Sequence, residues 1–366
     1  MEDRYIACMI LHAVGDTVGF KNSEWEFKFK KGTTEVALEK LYEFIDLGGI
    51  NGISLENWLV SDDTIMHIKT ALALLSDFNS INSFGKILKD NFIVGFEQLK
   101  NEAVKRAPGI TTMESIEKLK NGTEWNAVPY DYYSGGSGAS MRSLCIGLAY
   151  FGENNRDKLI QFSIESGRMT NNSAVGYLGG LASALFTALA VEGVEINNWP
   201  FILVDLFDSG KIKKYMKIAQ RDFSEFDKDH HIFVSKWYKY IEDKFDNKRK
   251  PIFRKSNRNL KYRSEYYLNT FAFEDKSETS WFIGSGGDDS VIIAYDCLID
   301  AGNNWEKLVI YSMLHIGDTD TTGAISAGLY GVLYGKNNIP KNFTDHLEYK
   351  TLLTQLGTQL FNKFGK

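Results

Sequence analysis

Residues 176–191 read GYLGGLASALFTALAV, with Gly176, Gly180, Ala184 and Ala188 recurring every fourth position. A four-residue repeat puts these small side chains on one face of a helix, where a second element can approach closely. Near the C-terminus Gly323, Ala327 and Gly331 repeat the pattern. Between them in character is Thr64–Leu75 (TIMHIKTALALL), whose Ile65, Ile68, Leu72 and Leu75 fall at three- and four-residue steps, the mark of one buried helical face. Strand-like alternation is scarce, and only five prolines punctuate the chain. Two small-faced helices at the centre predict a compact all-α globule rather than an elongated bundle or a repeat array.

The 366 residues are 43% apolar and 24% charged, ordinary for a globular protein, and the net charge of -5 lacks the positive field that draws proteins to nucleic acid. Cys8, Cys145 and Cys297 each lie in an apolar stretch without metal-ligand spacing, which predicts reduced core thiols. The start, MEDRYIACMILHAVGD, lacks the basic-then-apolar order of a signal peptide, and 176–191 is shorter than a bilayer span. The expectation is a cytoplasmic, soluble protein, monomeric and without a membrane or nucleic-acid partner. No Pro/Gly/Ser-rich linker divides the chain, so one domain over 1–366 is expected. Its least core-like part is 211–271, where DKFDNKRKPIFRKSNRNLKYR carries nine Lys/Arg and predicts a charged, solvated insertion.

Two acidic clusters carry the chemistry. Ser61-Asp62-Asp63-Thr64 precedes the helical run at 64, and Asp318-Thr319-Asp320-Thr321 precedes the small-faced helix at 323. Each reads as a helix N-terminus, where a side-chain oxygen accepts orphan backbone N–H groups and favours the positive end of the dipole. A cap needs one oxygen, however, and each cluster offers two carboxylates and at least one hydroxyl. If the clusters converge, four aspartates share a pocket and repel one another unless cations compensate. An all-oxygen set without His or Cys favours a hard ion such as magnesium, calcium or manganese over zinc.

These motifs resemble the ADP-ribosyl-acceptor hydrolases, or ADP-ribosylglycohydrolases, almost end to end. The resemblance is carried by Gly15-Asp16, Trp25-Glu26-Phe27, Ser61-Asp62-Asp63-Thr64 and Arg106-Ala107-Pro108-Gly109. It continues through Gly135-Gly136-Ser137-Gly138-Ala139 with Met141-Arg142, Ser166-Gly167-Arg168-Met169-Thr170, Gly284-Ser285-Gly286-Gly287-Asp288-Asp289, and Gly317-Asp318-Thr319-Asp320-Thr321. The wording around Trp25-Glu26-Phe27, Glu165–Thr170 and Ala294-Tyr295-Asp296 is most similar to the ADP-ribosylarginine hydrolase branch. The resemblance implies an orthogonal helical bundle and hydrolysis of the N-glycosidic bond between ADP-ribose and arginine side chains of modified proteins. Serine-linked ADP-ribose, O-acetyl-ADP-ribose and a non-catalytic ADP-ribose-binding module are the alternatives. It further implies two magnesium ions held by Ser61, Asp62, Asp63, Asp318, Asp320 and Thr321, with Glu26 on an entrance loop. Where close relatives carry a run of histidines, this chain has Asn171-Asn172-Ser173, which keeps hydrogen bonding and loses titration near neutral pH.

Asp63 is the candidate for orienting or deprotonating the attacking water, with Asp62 and Glu26 completing the catalytic set. The backbone N–H groups of Gly135, Gly136, Ser137, Gly138 and Ala139 form a candidate anion nest for the diphosphate, the alternative being a plain glycine turn. Gly284, Ser285 and Gly286 are assigned to ribose or to loop packing, and Arg142 to the phosphates or to a core carboxylate. His67 is expected to pack, and His315 to support the second acidic cluster.

Overall fold

The structure is a computed structural model describing residues 1–26, 35–102, 105–253, 255–274 and 281–365. Phe27 lies outside them. Helix α1 spans Glu2–Phe20, α2 Val36–Asp46, α3 Gly49–Gly52, α4 Asp62–Leu75, α5 Ile81–Asn101, α6 Ile110–Lys120, α7 Leu144–Ala149, α8 Arg156–Arg168 and α9 Ala174–Glu192. Then follow α10 (Trp199–Asp208), α11 (Lys211–Ala219), α12 (Phe223–Lys244), α13 (Leu260–Thr270), α14 (Ser290–Ala301), α15 (Trp305–Met313), α16 (Thr319–Tyr334) and α17 (Lys350–Phe364). Among the described residues the only strands are β1 (Phe273–Glu274) and β2 (Trp281–Phe282), a two-residue antiparallel pair. The all-α expectation holds.

The contact that organises the site is α1 against α16. A Cβ placed on Gly19 would stand 2.0 Å from the Thr319 carbonyl oxygen, one on Gly15 2.1 Å from that of Gly323, and one on Gly331 2.6 Å from the Ala7 carbonyl. Positions rise along α1 as they fall along α16, so the two helices run antiparallel with backbones in direct contact, which only missing side chains permit. The Thr319 hydroxyl donates to the Gly19 carbonyl at 2.8 Å. This contact sets the N-terminus of α16 beside the C-terminal end of α1.

Helix α9 is the second central helix, and its small face does something different. Gly147 of α7 meets it at Ala184 and Ala188, as a helix–helix contact. Gly176, Gly179 and Gly180 instead face the loops around 134–143 and Gly287; a Cβ on Gly179 would lie 2.4 Å from the Gly287 carbonyl oxygen. The repeat at 176–191 therefore seats loops as well as a helix. With its ends included, α9 is 19 residues long and apolar enough to cross a membrane by length and composition, contrary to the shorter span read from sequence, yet 94% of that window is buried inside the fold.

The expectation of a solvated insertion at 211–271 needs correction. Its helices contribute Ile212, Met216, Phe226, Phe233, Trp237, Tyr240 and Tyr267 to the core. Two of its cations meet at buried Asp296 of α14, which accepts hydrogen bonds from Tyr240 (3.0 Å), Tyr267 (2.6 Å) and Arg263 (2.9 Å) and pairs with Lys244 at 3.0 Å. Helical spacing hides these anchors inside a charged composition, and full exposure is confined to short runs such as 246–250. The three cysteines are free and buried, as expected.

Candidate active site

Ser61 and Asp318 are helix caps: the Ser61 hydroxyl accepts the Asp63 N–H at 3.1 Å, and Asp318 accepts that of Thr321 at 3.2 Å. Asp320 shares the Thr321 N–H at 3.0 Å, so capping uses one oxygen of the first cluster and two of the second, and it leaves the other carboxylate oxygens for other work. Asp16 of α1 brings the clusters together. Fully buried, it accepts the Ser61 N–H at 3.0 Å and the Thr64 N–H at 3.1 Å, along with the Thr64 hydroxyl. It thereby pins the start of α4 to the same end of α1 that holds the start of α16.

Convergence follows. A single cleft of about 130 Å³ is lined by Glu26, Asp62, Asp63, Asp318, Asp320 and Thr321, room for ions, water and a sugar ring. Its walls are Ala107, Gly109–Thr112, Gly136–Gly138, Met141, Asn171 and Ser285. Ser61 stands behind the floor, buried, with its backbone held by Asp16.

Electrostatics show what the cleft lacks. Burial, followed by repulsion from Asp320, lifts Asp16 to about 7 and Glu26 to about 10, the Lys40 ammonium only partly opposing the latter. The same causes raise Asp62, Asp63 and Asp318 well above the usual carboxylate range, the Thr321 side chain opposing the shift at Asp63. Without cations, these carboxyls resist ionisation. Oδ2 of Asp63 is buried with no hydrogen-bond partner, a costly state unless something else approaches it. Among the described residues no three His, Cys, Asp or Glu side chains stand as a ready cage. The donor chemistry, carboxylates and hydroxyls alone, fits a hard divalent ion.

The glycine-rich loops are stitched to each other. Ser137 N–H donates to the Ser285 carbonyl at 2.7 Å and Gly287 N–H to that of Gly135 at 2.8 Å. Asp289 clips the second loop by accepting the N–H groups of Gly284 (2.7 Å) and Gly286 (2.9 Å). Gly136, Ser137, Gly138 and Ser285 reach the cleft, whereas Gly135, Ala139, Gly284 and Gly286 are not among its lining residues. The Ser137 N–H, spent on Ser285, is lost to the expected anion nest.

Arg142 departs from expectation. It is fully buried, stacks over Phe92 at 4.7 Å, and donates to the carbonyls of Gly138 and Ser166, the latter at 2.8 Å. It braces the glycine loop from behind, pairs with no carboxylate among the described residues, and does not line the cleft. His67 packs, stacked on His12 with ring centroids 4.1 Å apart and facing the Arg142 carbonyl at 3.0 Å. His315 accepts the Gly317 N–H at 3.0 Å and lies 2.7 Å from the Thr322 hydroxyl, which itself donates to the Asp318 carbonyl at 2.8 Å. It supports the second cluster without reaching the cleft. Asn171 lines the cleft, while buried Asn172 donates to Val128 and Asp222, each at 2.9 Å.

Sequence reasoning assigned no role to Asp16, Ala107, Thr112 or Met141. For Asp16 a signal existed: a lone carboxylate inside the apolar helix IACMILHAVGDTVGF must find buried donors. Ala107 adopts a left-handed φ of 48° at the cleft wall, which an alanine codon does not announce.

Comparison with known proteins adds the following. A model of the ADP-ribosylglycohydrolase family matches residues 1–366. The ADP-ribosylhydrolase ARH1 of Dictyostelium discoideum is 35% identical over 380 aligned residues, covering 97% of this chain and 92% of its own length. A protein of Acanthamoeba polyphaga mimivirus, L444, described as an ADP-ribosyl glycohydrolase, is 37% identical, with 93% of this chain and 66% of that protein covered. Among solved structures, an ADP-ribosylglycohydrolase-related protein complex aligns with a TM-score of 0.59 at 16% identity, over 99% of this chain and 98% of the other, a likeness of fold alone.

Proposed function

The chain belongs to the ADP-ribosylglycohydrolase family, and from that premise we propose that it hydrolyses the N-glycosidic bond joining ADP-ribose to arginine side chains of modified proteins, in a magnesium-dependent reaction. The observation that carries the reading is the meeting of Asp62 and Asp63 with Asp318, Asp320 and Thr321 in one cleft beside Glu26. Ser61, Asp62, Asp63, Asp318, Asp320 and Thr321 would hold two magnesium ions. Bound there, they would neutralise the carboxylates, orient the ribose hydroxyls and acidify water.

The bond to be cut joins the anomeric carbon to a guanidine nitrogen, and positive charge grows on the sugar as it breaks. Ionised carboxylates around the cleft stabilise that charge. Asp63 accepts a proton from water as the water oxygen bonds to the anomeric carbon, a role supported by its Oδ2 having no hydrogen-bond partner. The electron pair of the breaking C–N bond leaves with the guanidine, which recovers a proton and departs as free arginine. Gly136, Ser137, Gly138 and Ser285 form the wall along which the diphosphate lies. Glu26, at the mouth, pairs with a guanidinium in a way that a serine oxygen does not reproduce.

The test is release of ADP-ribose from arginine-linked and serine-linked peptides, each with magnesium and with chelator. Release from the arginine linkage that stops with chelator is expected. Faster release from serine would move the substrate assignment, and release indifferent to chelator would remove the metal from the reaction.

A further inference from the structure

One partly buried ion pair lies outside the cleft and yet holds the backbone on which two of its carboxylates stand. Arg106 is 4% exposed, and its guanidinium grips Glu348 with both ends, Nη1 at 3.0 Å and Nη2 at 2.9 Å, while Nε pairs with Glu102. The same Nη1 donates to the Val60 carbonyl at 2.6 Å, and Glu348 accepts the Val60 N–H at 3.0 Å. The Val60 peptide groups are therefore held from both sides by one arginine–glutamate pair. The Arg106 carbonyl then accepts the Asp62 N–H at 3.1 Å. Directly after Arg106 come Ala107, at φ 48°, and Gly109, both on the cleft wall.

This is more than surface ion pairing contributes. A bidentate arginine–carboxylate pair that is also bonded to backbone on each side has one geometry, and partial burial keeps solvent from loosening it. Asp16 fixes the inner side of the Ser61–Thr64 turn, and the Arg106–Glu348 pair fixes its approach from Val60. Between them they hold the turn from both sides, with Asp62 and Asp63 at the cleft.

We propose that Arg106 and Glu348 are positioning residues for the metal-binding motif: they hold Val60–Asp62 so that the Asp62 and Asp63 carboxylates face the cleft. This rests on the magnesium reading above. Partners that orient metal ligands typically account for ten- to a hundredfold in metal affinity. Calorimetric titration with magnesium chloride of the full chain, wild type against Glu348→Ala, Glu348→Gln, Arg106→Ala and the Arg106→Ala/Glu348→Ala double variant, reads the effect, alongside melting in chelator. We expect magnesium Kd to rise about tenfold or more in each alanine variant. Glu348→Gln, which keeps an acceptor for the Val60 N–H, should fall between wild type and Glu348→Ala. The double variant should be no weaker than the worse single one, because the two residues act as one clamp. Should Glu348→Ala fail to fold, Glu348→Gln alone decides by its shift in Kd. Wild-type magnesium affinity in folded variants that merely melt lower would make the pair a structural brace and overturn the proposal. Absence of magnesium binding by the wild type would overturn the metal reading and this inference together.

Discussion

Stability of the metal-free protein should fall as pH rises above neutrality, and magnesium should abolish the fall. Glu26 sits at about 10 in the fold against an ordinary 4.5, because it is buried and faces Asp320, Asp62 and Asp16. A carboxylate raised in this way holds its proton in the folded state after the unfolded chain has released it. The stability it contributes is complete below the unfolded value and is lost as pH climbs toward the folded one. Between pH 7 and 8.5 a single such group removes about 2 kcal/mol. Asp62, Asp63 and Asp318 are raised as well and add to the loss. The window is chosen to exclude the opposing effect of histidine. Burial lowers His12 to about 4 and holds His67 and His315 well below 6.5, so these groups destabilise the fold only in acid, below about pH 6.5. Above about pH 6.5 the histidines are neutral in both states and the decline belongs to the acids alone. For a chain of this size, 2 kcal/mol corresponds to a melting shift of about 2–3 °C, within reach of differential scanning calorimetry. Scans in chelator at pH 7.0, 7.5, 8.0 and 8.5 should fall by at least that much. Scans in excess magnesium should stay level, since ions favour the ionised acids, and Glu26→Gln should flatten the chelator slope by its share. A chelator series that is flat or rising, or one that magnesium leaves unaltered, would refute the picture of protonated carboxylates awaiting cations.

Asp62→Ala and Asp320→Ala should each abolish ADP-ribose release and weaken magnesium binding in calorimetry; retained affinity in both would displace the metal site. Glu26→Gln should lower kcat/KM on the arginine linkage more than on the serine linkage while magnesium Kd stays within about threefold of wild type, because Glu26 is assigned to the leaving group; a collapse in metal affinity would move it among the ligands. Gly15→Ala inserts a methyl 2.1 Å from the Gly323 carbonyl and should cost about 1–3 kcal/mol in urea unfolding, together with a loss of magnesium affinity as the two helix ends part. Arg142→Leu should lower stability by a similar amount, removing the donor to the Gly138 carbonyl and the shorter of the two to Ser166. If instead it raised KM for ADP-ribosylated peptide with stability intact, Arg142 would belong to the phosphate site after all.

What the sequence determined by itself was local. Periodicity at 64–75 and the small-residue repeats at 176–191 and 323–331 specify helices, since a 3.6-residue turn allows no other use of that spacing. Excess oxygen in 61–64 and 318–321 marked the two helix starts as something beyond caps. Pairing of those starts was a matter of tertiary structure. It depends on Gly15 and Gly19 lying against Gly323 and Thr319, and on Asp16 finding the Ser61 and Thr64 N–H groups, contacts across about 45 to 300 residues that no local pattern encodes. Tertiary structure also decided against local reading. Arg142, beside a glycine loop, was drawn into the core to donate to the Gly138 and Ser166 carbonyls, and the basic run near 250 proved to be a short exposed turn after α12, a helix anchored by Trp237 and by Tyr240 on Asp296. Spacing reports which face of a helix is apolar or acidic; which face it meets is settled by where the whole chain can close-pack and still satisfy its buried charges.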